Sequence, residues 1–92
     1  MEQKYKLVSP LGLNARVASL IVAVFNRFSL NTITVHYNGE NADGKSILSL
    51  ITLVVKSGEE IVVEVEGNNP EAVFAMLEKA SENSVTPIIE KI

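Results

Sequence analysis

Ninety-two residues, 47% hydrophobic and 21% charged, suit one small globular domain and exclude a disordered chain. The net charge is −3 and the eight Lys and Arg residues are scattered, which argues against a nucleic-acid partner; the absence of cysteine excludes disulfides, thiolate nucleophiles and Cys-based metal sites. A core of this size supports on the order of 3–5 kcal/mol of stability.

Met1-Glu2-Gln3-Lys4 lacks the apolar core of a signal peptide, and the most apolar run, Val17 to Phe25, is far shorter than the ~20 residues of a membrane span. The expectation is a cytoplasmic protein without a membrane partner. Lys4 to Val8 alternates, with Tyr5 and Leu7 on one side and Lys4 and Lys6 on the other, as in a half-buried strand. Pro10 and Gly12 end it: proline cannot donate to a ladder, and glycine allows a sharp turn. From Ala15 to Phe28 the period changes to that of a helix, with Val17, Leu20, Ile21, Val24, Phe25 and Phe28 as its apolar stripe. Several of these residues are β-branched and weak helix formers, so the helix depends on packing against a sheet. Gly12-Leu13-Asn14-Ala15-Arg16, at the strand-to-helix handover, has the make-up of an anion-binding turn. A helix start offers free N–H groups and partial positive charge, and Arg16 adds a full one.

Thr32 to Tyr37 alternates again, with Ile33, Val35 and Tyr37 facing one way. Asn38-Gly39 supplies the strongest two-residue hairpin signal, and Glu40 to Asp43 is the return strand. Ser46 to Leu53 reads as one short helix capped by Ser46, with Leu50, Leu53 and Val54 inward and Ile47, Leu48 and Ile51 on another side. Glu60 to Glu66 is the clearest strand. Its Ile61, Val63 and Val65 face inward, and Glu64 and Glu66 are placed to face Lys4 and Lys6 of the first strand. Asn69-Pro70-Glu71 starts a last helix whose stripe is Val73, Met76, Leu77 and Ala80 and which fades around Glu82 to Ser84. The organisation is a domain over residues 1–84 followed by an apolar tail over 85–92, where Ile88, Ile89 and Ile92 either cover the core, add at a sheet edge or drive dimers. The order β-α-β-β-α-β-α with a tight hairpin implies an α+β open-faced sandwich, its sheet at least partly antiparallel and its helices on one face.

Two motifs, Gly12-Leu13-x-Ala15-Arg16 and Lys45-Ser46-Ile47-Leu48 with Leu50, together with this element order, resemble the HPr family over Lys4 to Glu82. These are the small phosphocarriers of the bacterial phosphoenolpyruvate-dependent sugar phosphotransferase system. The resemblance implies a four-stranded antiparallel sheet in the order 1-4-2-3 with three helices on one face, no cofactor, and protein partners rather than an enzymatic activity. It also implies a histidine between the leucine and Ala-Arg that accepts phosphate from enzyme I. That position is Asn14 here, and the family's following proline is Val17.

A neutral imidazole nitrogen has a free lone pair and forms a phosphoramidate reversibly, whereas a carboxamide nitrogen has its lone pair delocalised and is a poor nucleophile. Asn14 is, however, among the best N-caps. Arg16, which steadies the phosphate in a working carrier, is then kept either for partner contact or by descent. His36, the one histidine, lies mid-strand on the polar face as a solvated side chain, and no second histidine exists for metal binding. In Gram-positive relatives the serine matching Ser46 is phosphorylated by HPr kinase/phosphorylase, and Ile47, Leu48 and Ile51 would form a partner-binding patch beside it. Three readings stay open. One is a regulatory module modified at Ser46 that binds a transcriptional regulator or another phosphotransferase-system protein. The second is a sugar-transport carrier with an unusual acceptor, and the third a non-phosphorylated interaction domain.

Overall fold

Period-two alternation puts Tyr5 and Leu7, Ile33 and Val35, and Ile61, Val63 and Val65 on one side of their strands. In the computed structural model, which describes all 92 residues, each of these is at most 2% exposed. They line one face of a five-stranded antiparallel sheet made of β1 (Glu2–Leu7), β2 (Thr32–Tyr37), β3 (Glu40–Asp43), β4 (Glu60–Glu66) and β5 (Ile89–Lys91), in the order β3-β2-β4-β1-β5. Helices α1 (Ala15–Phe25), α2 (Ile47–Ile51) and α3 (Pro70–Glu82) close the core over that face. Lys4, Lys6, Thr34, His36, Glu64 and Glu66 lie on the other, solvent-facing side. The β2–β3 hairpin turns through Asn38 (φ 51°) and Gly39 (φ 82°), the pair of left-handed residues that a two-residue turn requires.

The expected four-stranded sheet is therefore a five-stranded one. Strands β1 to β4 keep the expected neighbours, and β5 from the tail adds beside β1. Ile88 and Ile89 enter the core, so the tail both covers apolar surface and occupies the sheet edge. Three residues of strand carry too little alternation to announce this. What fixes β5 is a side chain on α3: the buried Ser81 hydroxyl accepts from the backbone N–H of Ile88 (3.0 Å) and of Ile89 (3.1 Å).

The register of β1 against β4 also differs from expectation. Lys4 lies opposite Val62 and Lys6 opposite Glu60, while Glu64 lies opposite Glu2. Backbone bonds at one end, Leu7 N–H to Glu59 O and Gly58 N–H to Leu7 O, and at the other, Val65 N–H to Met1 O, set that register. Exposed charge pairs are worth at most a few tenths of a kcal/mol and cannot compete. The one lysine–glutamate contact that results, Lys4 to Glu60 at 3.9 Å, lies at the surface.

Three helix details are corrected. Helix α1 stops at Phe25 with Asn26 as its C-cap, and its buried face includes Ala18 and Val22, while Leu20 points outward. Val54 is not part of an inward stripe: it has φ 54° and is exposed, ending the short turn after α2, while Leu50 and Leu53 are buried as expected. Asn69 precedes Pro70 but makes no side-chain cap; its left-handed backbone (φ 50°) turns the chain into α3 instead. The α3 stripe gains the buried Phe74, and Tyr5 beneath it donates its hydroxyl to Glu78 Oε2 at 2.7 Å. Burial, followed by that bond to a carboxylate, raises the Tyr5 pKa far beyond the ordinary range.

Candidate functional site

The turn between β1 and α1 is built from its glycine outward. Gly12 has φ +72°, and a Cβ there would stand 2.5 Å from the carbonyl oxygen of Val55. That close approach lets the next residue, Leu13, donate its N–H to the same oxygen at 2.9 Å and bury its side chain. The start of α1 is thereby fastened to the segment that follows α2. Asn14 comes next, with extended backbone (φ −92°), and its Oδ1 accepts from the N–H of Val17 at 3.0 Å. This is an N-cap, worth about 1 kcal/mol over alanine. It commits the carboxamide oxygen and leaves the NH2 end free to donate. The N–H groups of Ala15 and Arg16, the first two of the helix, donate to nothing within the chain. Arg16 is exposed and forms no ion pair, and α1 has no acid in its first turn.

Ser46 caps α2 in the same manner, its Oγ accepting from Ser49 N–H at 3.1 Å. Its neighbour Lys45 is not a free charge: the ammonium donates to the carbonyls of Phe28 (2.8 Å) and Asn31 (2.7 Å), closing the loop after α1. Of the three patch residues, Leu48 is 73% exposed and Ile47 39%, but Ile51 is half-buried against the core. Ile51 instead forms the wall of a groove at the Asn14 turn, together with Leu11, Asn14, Val54 and Lys56. The structure thus brings Asn14 and the C-terminal end of α2 together, while Ser46 sits at the other end of that helix. Leu11 and Val54, both highly exposed, extend the apolar surface beside Asn14. Helical spacing places Val54 inward and assigns Leu11 no role beyond the turn, although a leucine between proline and glycine in a turn has no core to join and is a usable signal.

His36 is on the solvent side of the sheet, away from both helix starts. Its ring is nonetheless held on both sides, with Nε2 at 2.7 Å from Glu64 Oε1 and Nδ1 at 2.7 Å from Asn41 Oδ1. The bond to Glu64, then that to Asn41, raises its pKa above the ordinary 6.5. Because the folded-state pKa is the higher one, this contact adds stability that is fully present below pH 6.5 and is lost as pH rises through the raised value. An NMR titration of His36 should give an apparent pKa above the free value, returned towards 6.5 by Glu64→Gln. No group of three or more His, Asp or Glu side chains is placed to hold a metal ion, and no helix is long and apolar enough to cross a membrane.

A family model described as the PTS HPr component phosphorylation site matches residues 1–83. The HPr-like protein Crh of Halalkalibacterium halodurans is 35% identical over 83 residues, covering 86% of this chain and 98% of that protein. The phosphocarrier protein HPr of Lysinibacillus sphaericus is also 35% identical, over 75 residues, covering 82% and 84%. Among solved structures, HPr-C-His from Thermoanaerobacter tengcongensis superposes with a TM-score of 0.81 at 28% identity, covering 89% of this chain and 91% of the other.

Proposed function

The chain belongs to the HPr family, and on that premise we propose that it is a regulatory protein-binding module that does not carry phosphate on histidine. In this reading Asn14 stands where the family's phosphoacceptor would be. The observation that carries it is the Asn14 cap: the oxygen is bonded to Val17 N–H, and what remains is an amide nitrogen with no available lone pair. The one histidine does not replace it, because His36 lies on the opposite face of the sheet, tied to Glu64 and Asn41. Identity to relatives does not separate a regulator from a carrier, being 35% to both a Crh and an HPr.

The regulatory position in this reading is Ser46. A phosphoryl group there adds about −1.5 to −2 charge at the start of α2, and its oxygens can take over the bond that Oγ now accepts from Ser49 N–H. Lys45 contributes little to holding it, since its ammonium is already bonded to two carbonyls. The exposed Ile47 and Leu48 beside Ser46, and Leu11 and Val54 beside Asn14, supply the apolar contact surface for a protein partner in the cytoplasm.

Intact-mass measurement tests this directly. With enzyme I and phosphoenolpyruvate the chain should gain no phosphate, whereas Asn14→His should gain one if the docking face is retained. With HPr kinase and ATP the unmodified chain should gain one phosphate, and Ser46→Ala none. A phosphate taken up from enzyme I by the natural chain would instead support the carrier reading. No gain with the kinase would leave the non-phosphorylated interaction domain as the better account.

A further inference from the structure

A groove of about 400 Å³ runs at the surface between α1 and α3. Leu20, Val24 and Arg27 stand on one wall, and Met76, Lys79 and Ala80 on the other. Each wall spans two helical turns, about 10 Å. Helix α1 follows β1 and α3 follows β4, and those strands are antiparallel, so the helices run in opposite directions across the sheet. The groove takes no residue from α2 and shares none with the groove beside Asn14.

Its floor is apolar. Val24 is buried, Met76 and Ala80 are half-buried against the core, and Leu20 is exposed at one end. Ala23 and Ala80 are small enough for a third backbone to come close, and Met76 is a side chain that adapts to what it meets. The charges are sorted. Arg27 and Lys79, one on each wall, are exposed and form no ion pair, and no carboxylate lines the groove. The nearby acids of α3 are on its other flank, where Glu78 accepts from Tyr5 and lines a separate hollow against β5 with Glu82 and Glu90. In a chain of net charge −3, an apolar groove with a cation on each wall and no acid is a local exception.

We propose that the α1–α3 groove binds an acidic amphipathic helix of a partner protein, laid between the two helices as a third. Apolar side chains at i, i+3 or i+4, and i+7 of such a helix span about 10 Å, the length of the groove. Asp or Glu on either side of that stripe would meet Arg27 and Lys79. Other occupants fit less well. The tail of this chain is held at the β1 edge through β5 and does not cover the groove. A second copy placed symmetrically on it would bring two sets of Arg27 and Lys79 together. An acyl chain needs enclosure, whereas Ala23, Arg27, Lys79 and Asn83 are all exposed and leave the groove open. The inference goes beyond the regulatory reading, since it needs neither Asn14 nor Ser46.

The test is an NMR titration of the full ¹⁵N-labelled chain with a blocked synthetic helix carrying leucine at i, i+4, i+7 and i+11 and glutamate on both flanks of that stripe. Saturable amide shifts are expected at Ala23, Arg27, Met76, Lys79 and Ala80, while Ile47 and Leu48 stay unmoved. Arg27→Glu combined with Lys79→Glu should weaken binding about tenfold or more, as should Ala23→Glu, which sets a carboxylate in the groove. All three side chains are exposed, so these variants keep the fold. The same peptide with lysine in place of glutamate should bind about tenfold more weakly. Shifts that never saturate, shifts centred on α2 or the Asn14 turn, or equal affinity for the two peptides would overturn the proposal. Saturable binding of decanoate in the groove without binding of the acidic peptide would also overturn it, in favour of a small anionic amphiphile. The titration uses the unphosphorylated chain, so its failure leaves the kinase and enzyme I results untouched.

Discussion

Gly12→Ala is expected to cost about 3 kcal/mol or more, most of the stability of a domain this small. Two terms combine. The backbone sits at φ +72°, where an L side chain costs roughly 1–3 kcal/mol. The new methyl would also stand 2.5 Å from Val55 O, 3.1 Å from Lys56 Cα and 3.1 Å from Ser57 N, all of them backbone atoms that cannot swing aside. Relief requires the turn to lift away from the segment after α2, which breaks the Leu13 N–H to Val55 O bond and exposes Leu13. Gly39→Ala is the matched control. Its φ of +82° is similar, but nothing lies within 4 Å, so only the conformational cost of about 1 kcal/mol applies. Urea denaturation of the two variants separates the terms. Equal losses would show that close approach contributes nothing and that the turn relaxes freely. The same measurement bears on function, because Gly12 places Leu13 and Asn14 at the start of α1.

Ser81→Ala is the second large effect, with an expected loss of about 2–3 kcal/mol. The hydroxyl is the acceptor for two buried N–H groups, those of Ile88 and Ile89, and each buried donor left unsatisfied costs roughly 1–3 kcal/mol. The loss is limited by an escape route: the tail can peel from the sheet and let water reach those groups. The expected signature is therefore local. Amide exchange at Ile88, Ile89 and Ile92 should accelerate far more than at Val63 in the central strand β4. Peeling also uncovers the outer edge of β1, whose Val8 N–H is bonded to Ile88 O (3.0 Å) and whose Lys4 O accepts from Ile92 N–H (3.2 Å) in the intact fold. An open, unpaired edge favours strand addition by a second chain, so the variant should associate at high concentration by light scattering where the natural chain does not. A variant with unchanged stability and uniform exchange would show that the β1 ladder and the burial of Ile88 and Ile89 hold the tail without Ser81.

Much of the site was readable from local pattern. Asn14 and Ser46 each precede an apolar run at helical spacing, and both cap as a short polar side chain before such a run should. Asn69 shows the limit of that rule. The same residue type before a proline and an acid makes no cap bond, because the chain enters α3 from the Gly67 turn with its backbone left-handed. Lys45 shows another limit: it adjoins Ser46 in the chain, but its length lets it reach carbonyls that the fold brings near from residues 28 and 31.

The sequence by itself determined which residues turn inward on β1, β2 and β4, where the hairpin turns, where α1 and α2 start, and to which family the motifs point. Each of these rests on periodicity or on bonds spanning a few residues, such as Asn14 to Val17 and Ser46 to Ser49. The tertiary structure decided the register of β1 on β4, the fifth strand, and the groove that brings Ile51 beside Asn14. Those depend on contacts between distant segments, as with Tyr5 and Glu78, 73 residues apart. At such separations a side chain's partner is set by how whole elements pack, a choice that no local spacing encodes.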